Sequence, residues 1–254
     1  SDDQKAKSVA IQRPGILGTQ KFDLVILPQH DEPKKKPDNV ILTKGAINLI
    51  TPGYLDEQSE LLMKHFSHLK FSQRTRIGLL VGGNTEEYVL TEQQIKRVVN
   101  QLKEAAEQLN AEILVTTSRR TPACVENFIF RELKKHPRCP LLISPNRQDV
   151  PEAVGGILGL SDIIVVSGDS ISMVSEAASS GKNTIVFPGA HRDKVLQRVL
   201  KHDRFIENLN SQGYIVSVQA KEIAQTVYAM ARNKIKTNRL NDSDTVLEAA
   251  RYLI

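Results

Sequence analysis

From residue 77 onward, short apolar runs alternate with longer stretches in which apolar residues recur every three or four positions. The short runs cover residues 77–81, 113–116, 141–144, 163–166, 184–187 and 214–218. The best of the longer stretches spans residues 92–109, where Ile95, Val98, Val99, Leu102, Ala105, Ala106 and Leu109 share one helical face and Thr91 stands as its N-cap. Residues 221–232 repeat the theme, as do residues 243–253, with Val246, Leu247, Ala250 and Leu253 on one side. Runs too short for helices, separated by helix-length amphipathic segments, predict a doubly wound α/β fold with a parallel sheet.

The first 70 residues follow another pattern. Apolar runs at residues 9–12, 22–27 and 39–42 predict strands, but turn-rich segments separate them: Arg13-Pro14-Gly15 and Glu32-Pro33-Lys34-Lys35-Lys36-Pro37. Parallel strands need covered faces and crossovers of about a dozen residues or more. The expectation is therefore a remnant of a domain whose earlier units precede this segment. Residues 55–69 have helical spacing and residues 71–76 form a polar bridge, which sets the expected boundaries: residues 1–70, 74–235, and a last helix at 241–254 packing back on the N-terminal part.

Composition narrows the function classes. Of 254 residues, 40% are hydrophobic and 25% charged, as in ordinary globular proteins and unlike collagen or disordered chains. No apolar run approaches bilayer length, and the opening Ser-Asp-Asp-Gln is no leader, so a cytoplasmic protein is expected. Net charge is +5, but basic residues are scattered and aromatics make up only 5%, which argues against a nucleic-acid binder. A modest positive field suits an anionic small ligand or an anionic membrane surface. Cys124 and Cys139 have no His or Cys at ligand spacing, so both are expected to be buried thiols, and no metal is implied.

In an open parallel sheet, ligands gather beyond the carboxyl ends of the strands. The first such end carries Gly82, Gly83 and Asn84, where two glycines would let backbone amides approach a phosphate. The second carries Thr117, Ser118, Arg119 and Arg120 ahead of Pro122, combining hydroxyls and guanidiniums with a helix start. The fourth carries Gly168, Asp169, Ser170, Ser172 and Met173, a glycine bend followed by a Ser-rich helix start with its positive dipole end. Glu176, further along that helix, can accept from ribose hydroxyls. His191 and Arg192 are placed at a following helix start, either near the ligand or simply on the surface. On the N-terminal side, His30 and Asp31 follow the strand at 22–27. An imidazole there could take a proton from a hydroxyl, with the carboxylate fixing its tautomer.

The set Val81-Gly82-Gly83-Asn84, Thr116-Thr117-Ser118-Arg119-Arg120-Thr121-Pro122, and Ser167-Gly168-Asp169-Ser170 through Ser175-Glu176-Ala177 with Gly181-Lys182 resembles the mitochondrial fission Elm-type family of GT-B glycosyltransferase-like proteins. Phe22-Asp23-Leu24-Val25, Pro28-Gln29-His30-Asp31 and residues 39–46 are similar to that family's central stretch. The resemblance implies a GT-B-like fold in which residues 1–70 are what remains of an acceptor-side Rossmann-like domain and residues 74–235 bind a nucleotide-sugar. It also implies that Glu176 matches the helix glutamate that holds the ribose in UDP-sugar enzymes. The function it implies is metal-independent sugar transfer from a nucleotide-diphospho-sugar, a UDP-sugar by preference, with no further cofactor and no Asp-x-Asp metal clamp among these strand-end motifs. The acceptor is unknown, and a membrane-associated one fits a protein peripheral to the inner face of a membrane. The alternative is a catalytically silent GT-B-like scaffold or regulator, with epimerase or hydrolase chemistry on the same fold a third course.

Overall fold

The computed structural model describes residues 6–192, 201–251 and Leu253. Six strands form the large sheet: β4 (Arg76–Val81), β6 (Glu112–Thr117), β7 (Leu141–Ile143), β8 (Ile163–Ser167), β9 (Asn183–Phe187) and β11 (Val216–Ser217). All pair in parallel, in the spatial order β11-β9-β8-β4-β6-β7. Counted along the chain, this is the order 3-2-1-4-5-6 of dinucleotide-binding sheets, and it reverses between β4 and β8.

Alternate residues of each strand feed two cores. Ile77, Leu79, Val81, Ile113, Val115, Ile163 and Val165 meet α2 (Glu92–Gln108), α3 (Ala123–Leu133) and α7 (Ile223–Ala231) on one face. Leu80, Leu114, Ile164, Val166 and Val186 meet α1 (Pro52–His65), α4 (Ala153–Leu160), α5 (Ile171–Ser179) and α6 (Lys201–Ser211) on the other. Strands buried on both faces read as continuous apolar runs, which is why these segments show no polar alternation. The α2 start is as the sequence predicts: the Thr91 hydroxyl accepts from the Gln94 amide. The expected final strand at 214–218 is reduced to β11, and a short antiparallel ribbon of β5 (Tyr88–Val89) and β10 (Ala190–His191) was not foreseen. His191 consequently sits in a strand rather than at a helix start.

A second, three-stranded parallel sheet contains β1 (Val9–Ile11), β2 (Leu24–Pro28) and β3 (Val40–Thr43) in sequential order. Its buried core is small, namely Val25, Leu27 and Val40, and short 3-10 turns link its strands. The last helix, α8 (Ser243–Arg251), lies against β2 and β3. Asp242, just before it, accepts from the amides of Lys44 (3.1 Å) and Gly45 (2.8 Å).

Two expectations are corrected by the packing. The stretch 1–70 does not segregate with the small sheet, because α1 packs on α4 and its Leu55 and Leu62 enter the large sheet's second core. Glycines decide that contact: a Cβ on Gly159 would lie 2.1 Å from the Ser59 hydroxyl and 2.7 Å from the Leu55 carbonyl. Of the two cysteines, only Cys139 is buried; Cys124 is exposed.

Candidate functional site

The carboxyl ends of β4, β6 and β8 are stitched together at the point where strand order reverses. The Gly82 amide donates to the Ser167 hydroxyl and the Gly83 amide to Asp169 Oδ2, both at 2.7 Å. A Cβ on Gly82 would lie 2.2 Å from Asp169 Oδ2, and one on Gly83 would lie 2.1 Å from the Arg120 carbonyl. These glycines thus allow three loops to close on each other. Their amides are occupied, contrary to the expectation that they face a phosphate. The Thr121 hydroxyl donates to the Val81 and Gly82 carbonyls and completes the seam.

Asn84 is likewise committed internally, its Oδ1 accepting from the Leu90 amide at 2.9 Å. Thr117 is buried with its hydroxyl unpartnered, and the Ser118 hydroxyl accepts from the Arg120 amide. Arg119 is exposed, 3.8 Å from Asp149, while Arg120 is exposed and acts electrostatically on Asp169. Asp169 is almost fully buried, and one of its oxygens has no partner. Burial raises its carboxyl above the ordinary value, against the Ser167 and Gly83 hydrogen bonds that favour the charged form.

The α5 start retains open donors. Gly168 bonds to Phe187, and the Ser170 hydroxyl accepts from the Met173 amide, which caps the helix. That leaves the amides of Ile171 and Ser172 at the positive end of the helix dipole. Met173 is buried and Ser172 exposed. Glu176 follows Ser172 by one turn, half-buried and with no hydrogen-bond or ion-pair partner among the described residues; burial raises its carboxyl. Tyr54 of α1 lies close enough to feel its charge, a neighbour the sequence reading missed.

Across from α5, the small sheet contributes His30 and Asp31 from a 3-10 turn (Gln29–Asp31) directly after β2. The His30 side chain is only 5% exposed, yet its Nδ1 has no hydrogen-bond partner. Its ring meets Phe205 edge-on at 5.3 Å, and Nε2 is 3.9 Å from Asp31 Oδ2. Burial lowers the imidazole below its ordinary value, with His202 and Lys201 acting in the same sense and Asp31 opposing. Burial would raise Asp31, but the 2.5 Å bond from Lys201 Nζ, with His30 and Arg13 nearby, leaves it below the usual range. His30, Asp31, Thr85, Glu86, Glu87, Ile171, Lys201 and His202 line one cavity of about 350 Å³. Lys201 and His202 at the start of α6 and the Glu86-Glu87 pair were not foreseen, because nothing local marks a residue as facing another sheet. His191 and Arg192 hold the β5–β10 ribbon: His191 approaches Asp203 at 3.7 Å and Arg192 donates to the Thr85 carbonyl.

Asp242-Ser243-Asp244 has Asp-x-Asp spacing but serves the fold, since Asp242 binds the Lys44 and Gly45 amides and Asp244 accepts from Asn241. Among the described residues, no group of three or more His, Cys, Asp or Glu side chains is arranged to hold a metal ion, and no helix is long and apolar enough to cross a membrane.

A 3-2-1-4-5-6 parallel sheet facing a second parallel sheet across a cleft defines a GT-B-like α/β protein. Solved structures share it: UDP-GlcNAc 2-epimerase from Methanocaldococcus jannaschii (TM-score 0.58, 18% identity, covering 92% of this chain and 63% of that one) and the enzyme from Neisseria meningitidis bound to UDP-GlcNAc (TM-score 0.54, 15% identity, 91% and 62%). The chain belongs to the family described as Mitochondrial fission ELM1, whose model matches residues 1–252. Among curated proteins it is 32% identical over 185 residues to the uncharacterized protein RP120 of Rickettsia prowazekii (72% of this chain, 48% of that protein). It is 28% identical over 204 residues to mitochondrial fission protein ELM1 of Arabidopsis thaliana (72% and 46%). The chain spans about half the length of these relatives.

Proposed function

We propose that the cleft between the two sheets binds a nucleotide-diphospho-sugar and transfers its sugar to an acceptor hydroxyl. The observation that carries this reading is one cavity bounded on one side by the open N-terminus of α5 at Ile171 and on the other by His30, a buried imidazole with an unpartnered nitrogen. A helix N-terminus stabilises a diphosphate, and more so as the leaving group gains charge. Glu176, further along α5 and without a partner among the described residues, is suited to ribose hydroxyls. His30 takes the proton of the attacking hydroxyl as the oxygen bonds to the anomeric carbon and the diphosphate leaves. The bound UDP-GlcNAc in the Neisseria relative of the fold supports a nucleotide-sugar as ligand class.

Isothermal titration with UDP-, GDP- and ADP-sugars tests binding, and radiolabelled sugar transfer to membrane lipids tests turnover. His30→Ala should retain nucleotide binding and lose turnover, whereas Glu176→Ala should weaken binding by about tenfold, the scale of a lost charged hydrogen bond. Absence of binding across the panel removes the reading, and binding without any turnover favours the silent scaffold instead.

A further inference from the structure

Resting on the nucleotide-sugar reading, we propose that the cavity under His30 selects a neutral, hydroxyl-rich sugar and rejects one carrying a carboxylate. The cavity is electrically divided. At the Ile171 end are the free amides and positive dipole of α5, suited to the diphosphate. Among the described residues, the other end presents three carboxylates, Asp31, Glu86 and Glu87, against one ammonium, Lys201.

The pairing within this set leaves a surplus of acceptors. Lys201 is taken up by Asp31 at 2.5 Å, and the Glu87 carboxylate faces His202 at 3.2 Å. Glu86 is exposed and has no partner among the described residues. His30, kept neutral by burial, offers one unpartnered nitrogen rather than a positive charge. Sugar hydroxyls are donors as well as acceptors, so they match carboxylates and a neutral imidazole. A sugar carboxylate brings only acceptors and a like charge into a partly enclosed space, where repulsion is screened less than in bulk water. The buried, unpartnered His30 nitrogen is the independent sign that a polar ligand group belongs at this end.

The experiment is titration calorimetry of the full chain with UDP, UDP-glucose and UDP-glucuronate, the two sugars differing only at C6. UDP-glucose is expected to bind at least about tenfold more tightly than UDP-glucuronate, and Glu86→Gln should narrow that ratio by removing one like charge. If UDP binds but UDP-glucuronate matches or exceeds UDP-glucose, or if Glu86→Gln leaves a tenfold ratio unchanged, the selectivity proposal is wrong while the nucleotide site stands. If none of the three binds, the nucleotide-sugar reading fails and this inference with it.

Discussion

At the scale of single residues, the site depends on two buried titratable side chains whose surroundings oppose their charged forms. Folding raises the Asp169 carboxyl above its ordinary 3.8. The folded chain therefore holds more protons between 3.8 and the raised value, and stability falls as pH rises through that window. Asp169→Asn keeps an oxygen to accept from Gly83 and removes the charge. Urea denaturation at stepped pH should show that fall abolished, with neutral-pH stability equal to or above the parent. Asp169→Ala strands the Gly83 amide and should cost about 1–3 kcal/mol. For His30 the sign is opposite. Burial lowers the imidazole from 6.5, so it stays neutral and basic at pH values where a free imidazole is half protonated. With a nucleotide-sugar substrate, the acidic limb of kcat/KM should lie below 6.5; a limb at or above that value would separate His30 from proton transfer.

At the scale of elements, the glycine-lined α1–α4 contact explains why α1 joins the large sheet. Gly155, Gly156 and Gly159 present backbone rather than side chains to α1; Gln58 and Leu62 fill the space that a Cβ would need at the first two, and Ser59 and the Leu55 carbonyl at the third. Gly159→Ala forces a methyl against Ser59 and the Leu55 carbonyl. Overpacking of this kind costs about 1–3 kcal/mol, and it should lower the melting temperature by roughly 2–4 °C per kcal/mol in a chain of this size. An unchanged melting temperature would mean that the helices separate without penalty. Spacing over residues 55–69 makes a helix legible, although α1 runs Pro52–His65 and residues 67–71 form a 3-10 turn; which sheet that helix covers is not legible, because an apolar stripe fits any complementary surface.

For the whole molecule, the small sheet has little core of its own and is held to the large one by polar ties. Asp242 binds the amides of Lys44 and Gly45, the Ala46 amide donates to Ser175 of α5, and Lys201 bonds Asp31. Hydrogen bonds to a charged acceptor are worth about 1.5–3 kcal/mol, so Asp242→Ala should loosen β3 selectively. Hydrogen exchange should quicken at Val40–Thr43 and remain unchanged at Arg76–Val81; equal acceleration in both sheets would show that they unfold as one unit.

The alternation of strand and helix, the two-faced burial of the large sheet and the thinness of the N-terminal segment were all determined by the sequence, because each depends on periodicity within a few residues of chain. The strand ends were legible for the same reason: Gly82-Gly83 and Gly168-Asp169-Ser170 break apolar runs where a sheet must end. What those residues do there was decided only in three dimensions. The Gly82 and Gly83 amides could have faced a phosphate, but Ser167 and Asp169, 85 and 86 positions away, reach them first. His30 was recognisable as a candidate base from its place after a strand, while the groups that set its protonation, Lys201 and His202, come from a helix some 170 residues later. Hydrogen-bond partnership and charge act over a few ångströms regardless of chain separation, so only the packing of one sheet against the other could decide them.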